Sequence, residues 1–351
     1  MKLKKKSAYM KLVLSMMIAA LLLLTAACGT AKNTADDASG SANTPANTAA
    51  ANNSASGAEN TGTAASDNAG TPAAQATTTY PLTVKDATNT ELTFQAAPQH
   101  IVTLVPSETE IVYAIGAGDS IVAVDDYSNY PKEAADKPKI GGMEADIEKI
   151  VSLKPDLILA TYSMSKAVVD KLRALKLPVY ATDPKTYDAV VEKVKQIGII
   201  LNKSEQAAAV ADHMNEVRTQ VAEAVKDAPK PKVYLEFSPG WTVGKGEFLD
   251  ELLTIAGGTN IAEKPGWYEI DPEAVVKANP GSIIYASMTV KEGEKNPILA
   301  AIESRPGWNT INAMKNKQIF EVDQDPLTRV GPRLADGLLE VAKKLHPDLV
   351  K

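Results

Sequence analysis

A single cysteine, Cys28, serves the whole 351-residue chain, so no internal disulfide forms and any core must hold unaided. Histidine is nearly as scarce. His100, His213 and His346 stand far apart, whereas a dedicated zinc or manganese receptor needs histidines and carboxylates that converge. There is no G-x-S-x-G nucleophile elbow. Neither glycine pair, Gly141-Gly142 or Gly257-Gly258, is followed by the G-K-[ST] of a phosphate loop, and both suit tight turns instead. From these absences we expect no enzyme activity, no resident metal and no cofactor. One stretch lacks something more basic: residues 29–79 contain no Val, Ile, Leu, Met or aromatic side chain. Such a composition does not bury enough apolar surface to offset the entropy of ordering. It reads as a tether spanning on the order of 40 Å root-mean-square.

Ahead of that tether, Lys2, Lys4, Lys5, Lys6 and Lys11 form a basic segment. Residues 12–24 are uncharged and apolar, too short to span a bilayer comfortably. Thr25, Ala26 and Ala27 then precede Cys28, the pattern of an export signal. The lone cysteine resembles that of a bacterial lipobox, with Thr25 where leucine is commoner. The resemblance implies lipidation of Cys28. Losing residues 1–27 removes five lysines and no acid, taking the formal net charge from −6 to −11. That disfavours nucleic acid as a partner.

Residues 80–351 suffice for two domains. Residues 82–94 read as a hairpin. Strand and helix then alternate: strand 101–104, a helix capped by a Ser107/Glu110 box and stopped by Gly116, strand 121–124, helix 146–153, strand 156–160, helix 164–175 and strand 178–180. Two helical stretches follow, 186–202 and 204–226, the second with Ser204 as N-cap and Pro229 and Pro231 beyond its end. The rhythm restarts with strand 232–236, helix 247–256, helix 272–278, strands 282–285 and 317–322, and a final helix 331–345. Alternation of this kind implies largely parallel sheets. We therefore expect an α/β protein of two Rossmann-like lobes joined by one long α-helix, with a ligand cleft between them. The boundaries are 1–27 signal peptide, 28–79 lipidated cysteine and disordered tether, 80–185 N-terminal lobe, 186–228 helical linker and 229–351 C-terminal lobe.

An internal echo supports two like lobes. "DIEKIVSLKPDLILA" from residue 146 returns as "DPEAVVKANPGSIIYA" from residue 271. Glu148 and Glu273 are 125 residues apart, as are Pro155 and Pro280, which we read as starting the strands that follow. Asp146 and Asp271 read as N-caps, and each glutamate falls in a first helical turn, where an acid favours the helix dipole.

The few aromatic residues fall where strands end. Tyr127 and Tyr130 sit in "DDYSNYP", Trp241 in "SPGW", and Trp267 with Tyr268 in "EKPGWYEIDPE". We read all three segments as loops that offer flat apolar surface to a large ligand. Asp325 and Arg329, four residues apart, either pair with each other or offer an acceptor and a forked donor to a polar ligand rim.

At this point four segments carry a resemblance: "IVTLVPSETEIVYAIGAGDSIVAVDDYSNYP", "GGMEADIEKIVSLKPDLILA", "KGEFLDELLTIAGGTNIA" and "DQDPLTRVGPRLADGLLEVAKKL". Together they resemble the single-helix-hinge substrate-binding lipoproteins of bacterial ABC importers, which take up cobalamin, ferric siderophores and haem. The resemblance covers essentially all of 80–351. It is nearest to cobalamin binders through Tyr127, Trp267 and the Asp325/Arg329 pair, although those binders carry a tryptophan near Gly141-Gly142, which this chain lacks. It implies a monomeric receptor, lipid-anchored on the outer face of the membrane of a Gram-positive host, that serves an ABC permease dimer with its ATPase. The implied ligand contacts are Tyr127, Tyr130, Trp241, Trp267, Asp325 and Arg329. Glu148 and Glu273 would meet arginines of the two permease subunits. Of the chain's arginines, only Arg329 and Arg333 read as near a cleft, which favours cobalamin over anionic siderophores. Ferric siderophore or haem remains as alternative cargo, haem through Tyr127, Tyr130 or Tyr162. An adhesive or structural surface lipoprotein is the alternative of a different class.

Overall fold

The computed structural model describes residues 77–351. The signal segment, Cys28 and nearly all of the tether lie outside the described residues. Strands β1 (Leu82–Lys85) and β2 (Glu91–Phe94) form the antiparallel hairpin that the alternation predicts, with Val84 opposite Leu92. Asp86, buried in its turn, accepts from the backbone N–H groups of Thr88, Thr90 and Ala181 and pairs with Arg173. That carboxylate fastens the hairpin to the first lobe.

The first lobe runs β3 (Ile101–Thr103), α1 (Pro106–Ala114), β4 (Ile121–Val124), α2 (Lys132–Ala135), α3 (Ile147–Ser152), β5 (Leu157–Thr161), α4 (Tyr162–Ala174) and β6 (Val179–Thr182). Its sheet is parallel, in the order β4-β3-β5-β6. Period-two alternation divides the side chains between two faces. Val102, Ile158 and Ala160 pack in a core of the first lobe alone, while Ile101, Leu157 and Leu159 enter a larger core that continues into the second lobe.

Helices α5 (Tyr187–Ile200) and α6 (Ser204–Val225) carry the chain across. At 1.5 Å per residue, the 22 residues of α6 span about 33 Å. Ala207, Ala211, Met214, Val221 and Val225 form its buried stripe. Ahead of β1, the Thr78 N–H donates to Asn202 Oδ1, Thr78 Oγ1 to the Ile199 carbonyl and the Tyr80 hydroxyl to the Ile200 carbonyl, each at 2.8 Å. The chain thus joins the body at the α5–α6 turn.

The second lobe comprises β7 (Lys232–Glu236), β8 (Trp241–Val243), α7 (Phe248–Ile255), β9 (Thr259–Asn260), β10 (Trp267–Glu269), α8 (Pro272–Ala278), β11 (Ser282–Ala286), α9 (Pro297–Ser304), α10 (Asn312–Lys315), β12 (Ile319–Val322), α11 (Gln324–Thr328) and α12 (Leu334–Leu345). Its parallel sheet, β9-β7-β11-β12, repeats the strand order of the first.

Four local expectations are corrected. Ser107 and Glu110 make no capping box: Val105 is the N-cap without a side-chain bond, and Pro106, whose ring presets φ, begins α1. Ser204 is the first helical residue rather than the cap, which is Lys203. Pro155 and Pro280 lie two residues ahead of their strands, because Asp156 and Gly281 intervene. The final helix begins at Leu334, and the chain before it folds separately as α11.

Helices α5 and α6 pack tightly at Gly198. A β-carbon there would lie 2.2 Å from that of Ala207 and 3.1 Å from the Lys203 carbonyl oxygen. Gly198→Val should therefore cost about 1–3 kcal/mol through overpacking, read as a lower urea midpoint with an unchanged slope.

Candidate ligand cleft

The sequence echo is a structural repeat. Helix α3 starts 125 residues before α8, β5 spans positions 125 before those of β11, and buried Ile150 corresponds to buried Val275. Asp146 caps α3 by accepting from Lys149 N–H, and Asp271 caps α8 by accepting from Glu273 N–H, as expected. Lys154 and Asn279, also 125 apart, both hold φ at 49°. In each lobe the strand order reverses beside the first strand, between β3 and β5 and between β7 and β11. Such a reversal leaves a crevice at the carboxyl ends of the strands.

The two sets of carboxyl ends meet across one ionic cluster. Glu110 on α1, 2% exposed, accepts from Arg329 Nη1 at 2.9 Å and from Arg333 Nε and Nη2 at 2.9 and 2.7 Å. Arg329 also donates to Asn129 Oδ1 (2.8 Å) and the Tyr127 carbonyl (3.4 Å), and it pairs with Asp325 at 2.7 Å. Arg333 lies 4.1 Å over the Tyr130 ring. Asp325 and Arg329 thus pair with each other, and the guanidinium is committed to the first lobe. Tyr130 stands beside the same cluster, bordering a groove of about 670 Å³ with Tyr113, His213 and Met214. Glu110, the centre of the arrangement, was missed as a site residue; its partners lie more than 200 positions away, and no local pattern announces them.

Each lobe holds a second buried carboxylate at its strand ends. In the first, Glu108 accepts from Thr161 Oγ1 (3.1 Å), Thr182 Oγ1 (2.6 Å), Ser107 Oγ and Lys193 Nζ (3.4 Å). Burial pushes the Lys193 ammonium below its ordinary pKa, and Glu108 opposes that shift. In the second, fully buried Glu236 ends β7 and receives the fork of Arg305, with one arm at 2.6 Å. Glu236 also accepts from Gly240 N–H at 2.7 Å and so fixes the turn that delivers Trp241. Arg305, read from the sequence as remote from the cleft, braces this aromatic turn from below.

Trp241 and Trp267 are not in loops. They lie on β8 and β10, which pair antiparallel with Trp267 opposite Val243 and Trp241 opposite Glu269. Paired residues share a face, so both indoles stand on one side of a two-stranded ribbon. They are 45% and 42% exposed. Phe237 supports Trp267 edge-on, with centroids 6.0 Å apart at 85°. On the first lobe Tyr127, 60% exposed, lies over Gly142, where a β-carbon would meet its ring at 3.0 Å. Asp125 positions this loop by accepting from Tyr127 N–H at 2.8 Å and from Ser128 Oγ. Burial raises the Asp125 pKa, and those hydrogen bonds pull it down.

Glu148 and Glu273 are exposed and form no ion pair among the described residues. His100 lies 3.8 Å from Asp156, and His346 is buried near the chain end. No group of metal-ligating side chains occurs among the described residues. No described helix is long and apolar enough to cross a membrane.

Two lobes of one topology, a long connecting helix and a cleft between opposed strand ends define a clamp-type solute receptor. The chain belongs to the periplasmic binding protein family, whose model matches residues 101–326. It is 36% identical over 290 residues, 80% of this chain and 90% of the relative, to an uncharacterized ABC transporter substrate-binding lipoprotein, YvrC, of Bacillus subtilis. It is 27% identical over 277 residues to the cobalamin-binding protein of Halobacterium salinarum, covering 76% and 74% of the two chains. Among solved structures, the vitamin B12 binding protein BtuF of Vibrio cholerae superposes with a TM-score of 0.60 at 27% identity, over 71% of this chain and 96% of that one. A possible iron-binding protein of Staphylococcus epidermidis gives 0.61 at 30% identity, over 72% and 100%. This chain is thus an ABC-transporter substrate-binding protein of the two-lobed α/β class, and these relatives are solute-binding proteins rather than enzymes.

Glu110→Gln strips the charge that two buried guanidinium groups share. Removing one partner of a buried pair costs about 3 kcal/mol. We expect a lower urea midpoint for Glu110→Gln, with the loss largely absent when Arg329 and Arg333 are replaced by methionine in the same chain.

Proposed function

We propose that the protein captures a cobalamin-type corrinoid between its lobes and hands it to a membrane permease. The observation that carries this reading is a pair of aromatic surfaces, Tyr127 on one lobe and Trp241 with Trp267 on the other, beside arginines already neutralised by Glu110 and Asp325. A corrin is broad and rimmed by uncharged amides, so it gains from flat apolar contact and asks for no free cation. A polyanionic ferric siderophore, or the propionates of haem, would have to break existing ion pairs. The similarity to cobalamin-binding and vitamin B12-binding proteins supports the same ligand. In this reading Tyr127, Trp241 and Trp267 contact the ligand. Tyr130 and Arg329 hold the lobes, and Asp325, with its side chain 39% exposed, keeps an acceptor for the amide rim.

Cyanocobalamin, a ferric hydroxamate, a ferric catecholate and haemin, titrated in turn against tryptophan fluorescence, decide the cargo. Cyanocobalamin should quench and be retained on dialysis. The Trp241→Ala, Trp267→Ala double variant should weaken its binding about 5- to 150-fold, from two aromatic contacts of about 0.5–1.5 kcal/mol each. Retention of haemin or a ferric siderophore in preference to cyanocobalamin overturns the assignment.

The same proposal places Glu148 and Glu273, one per lobe at equivalent positions, against cationic residues of the two permease subunits, with Cys28 carrying the lipid anchor and the receptor acting as a monomer. Reversing both charges should abolish uptake in cells and leave solution affinity unchanged. Loss of affinity would instead return the two glutamates to a structural role.

A further inference from the structure

Eight of the eleven large apolar side chains exposed in the described body lie in segments leading out of strand carboxyl ends, so exposed apolar surface is concentrated on the cleft side. Two of them are related by the repeat. Strand β5 ends at Thr161 and β11 at Ala286, equivalent positions. Met164 follows the first by three residues and Met288 follows the second by two, so the 125-residue correspondence brings the methionines within one position of each other. They are 65% and 41% exposed. Both flank the crevice of their own lobe, and the lobes turn those ends toward one another through Glu110 and its arginines.

Neither segment floats. Ser163 beside Met164 donates to Asp183 at 2.6 Å, and Thr161 donates to buried Glu108. Ser287 beside Met288 accepts from Gln324 N–H at 3.2 Å, which links this segment to the helix that bears Asp325. The backbone under each thioether is fixed while its side chain is left uncovered. A long polarizable side chain on a fixed base adapts to an irregular ligand surface without moving the main chain.

We propose that Met164 and Met288 are opposed jaw contacts, one from each lobe, that close on the apolar faces and edges of the bound ligand. The inference rests on the corrinoid reading for its first probe, but it is tested with whichever ligand binds. Only five of the nine methionines lie within the described residues: Met143, Met164, Met214, Met288 and Met314. Met214 is 1% exposed and Met314 packs on the core, so both serve as internal controls.

The full chain labelled with [methyl-13C]methionine, its resonances assigned by single Met→Leu variants, is titrated with cyanocobalamin while tryptophan quenching reports binding. Both Met164 and Met288 methyl signals should shift or broaden in step with the quench, and those of Met214 and Met314 should stay. Met164→Ser and Met288→Ser should each weaken binding about three- to tenfold with an unchanged urea midpoint, and Met→Leu at either position should restore it to within about twofold. Quenching without movement of both jaw methyls overturns the proposal and leaves the corrinoid reading standing. If haemin or the ferric siderophore quenches in place of cyanocobalamin and moves both methyls, the corrinoid reading falls and the jaws stand. No quenching by any of them removes both.

Discussion

The orientation of the two lobes depends on one buried carboxylate. Glu110 belongs to the first lobe and takes its hydrogen bonds from two guanidinium groups of the second. An acid 2% exposed is costly to keep charged, and its cost is offset only while Arg329 and Arg333 stay in reach. Separating the lobes would break all three of those hydrogen bonds at once. The long helix α6 acts in the same sense, with a stripe buried against both lobes. Together they favour closure through a small angle over a wide swing. The same cluster reaches the exposed Tyr127 loop, because Arg329 grips Asn129 and the Tyr127 carbonyl. A loop of one lobe is therefore placed by a side chain of the other.

At the strand ends of each lobe the chain repeats a solution with different residues. Glu108 is neutralised by Lys193 and satisfied by Ser107, Thr161 and Thr182, and Glu236 is neutralised by Arg305. Glu108 of the first lobe pairs with Lys193 on the connecting helix α5, whereas Glu236 and Arg305 both belong to the second lobe, and each carboxylate lies at strand ends where the sheet order reverses. The first ties helices α1 and α5 to β5 and β6. The second sets the turn ahead of the tryptophan ribbon. Strong electrostatics thus serves as scaffold, while the exposed surface at the strand ends is left to aromatic and thioether groups.

Most of the architecture was legible because local signals agreed. Strand β7 and helix α8 match their expected bounds, since Pro231 and Asp271 mark their starts and a proline or glycine follows. The repeat could be read from paired prolines and acids. The ribbon of β8 and β10 was not readable, because strands of three residues are too short to display a period and their pairing spans more than 20 positions. The capping box failed because Pro106 already sets the first turn, freeing Ser107 and Glu110 for partners elsewhere. Arg305 looked peripheral for a similar reason: its carboxylate is 69 residues away and only the fold brings them together. Which of the candidate site residues stand exposed and which face each other is a tertiary fact.

The fastening of Thr78 and Tyr80 to residues 199–202 has a mechanical meaning. Helix α5 begins just beyond the carboxyl end of β6 and runs for 14 residues, so its last turn lies about 20 Å along the helix from the strand end it leaves. Tension arriving along the chain from its N-terminal side enters the body there. It loads a helix terminus packed into the continuous core and not the segments that bear Tyr127, Trp241 and Trp267. A pull on the chain from that side therefore bears on the connecting helices and spares the exposed aromatic segments of both lobes.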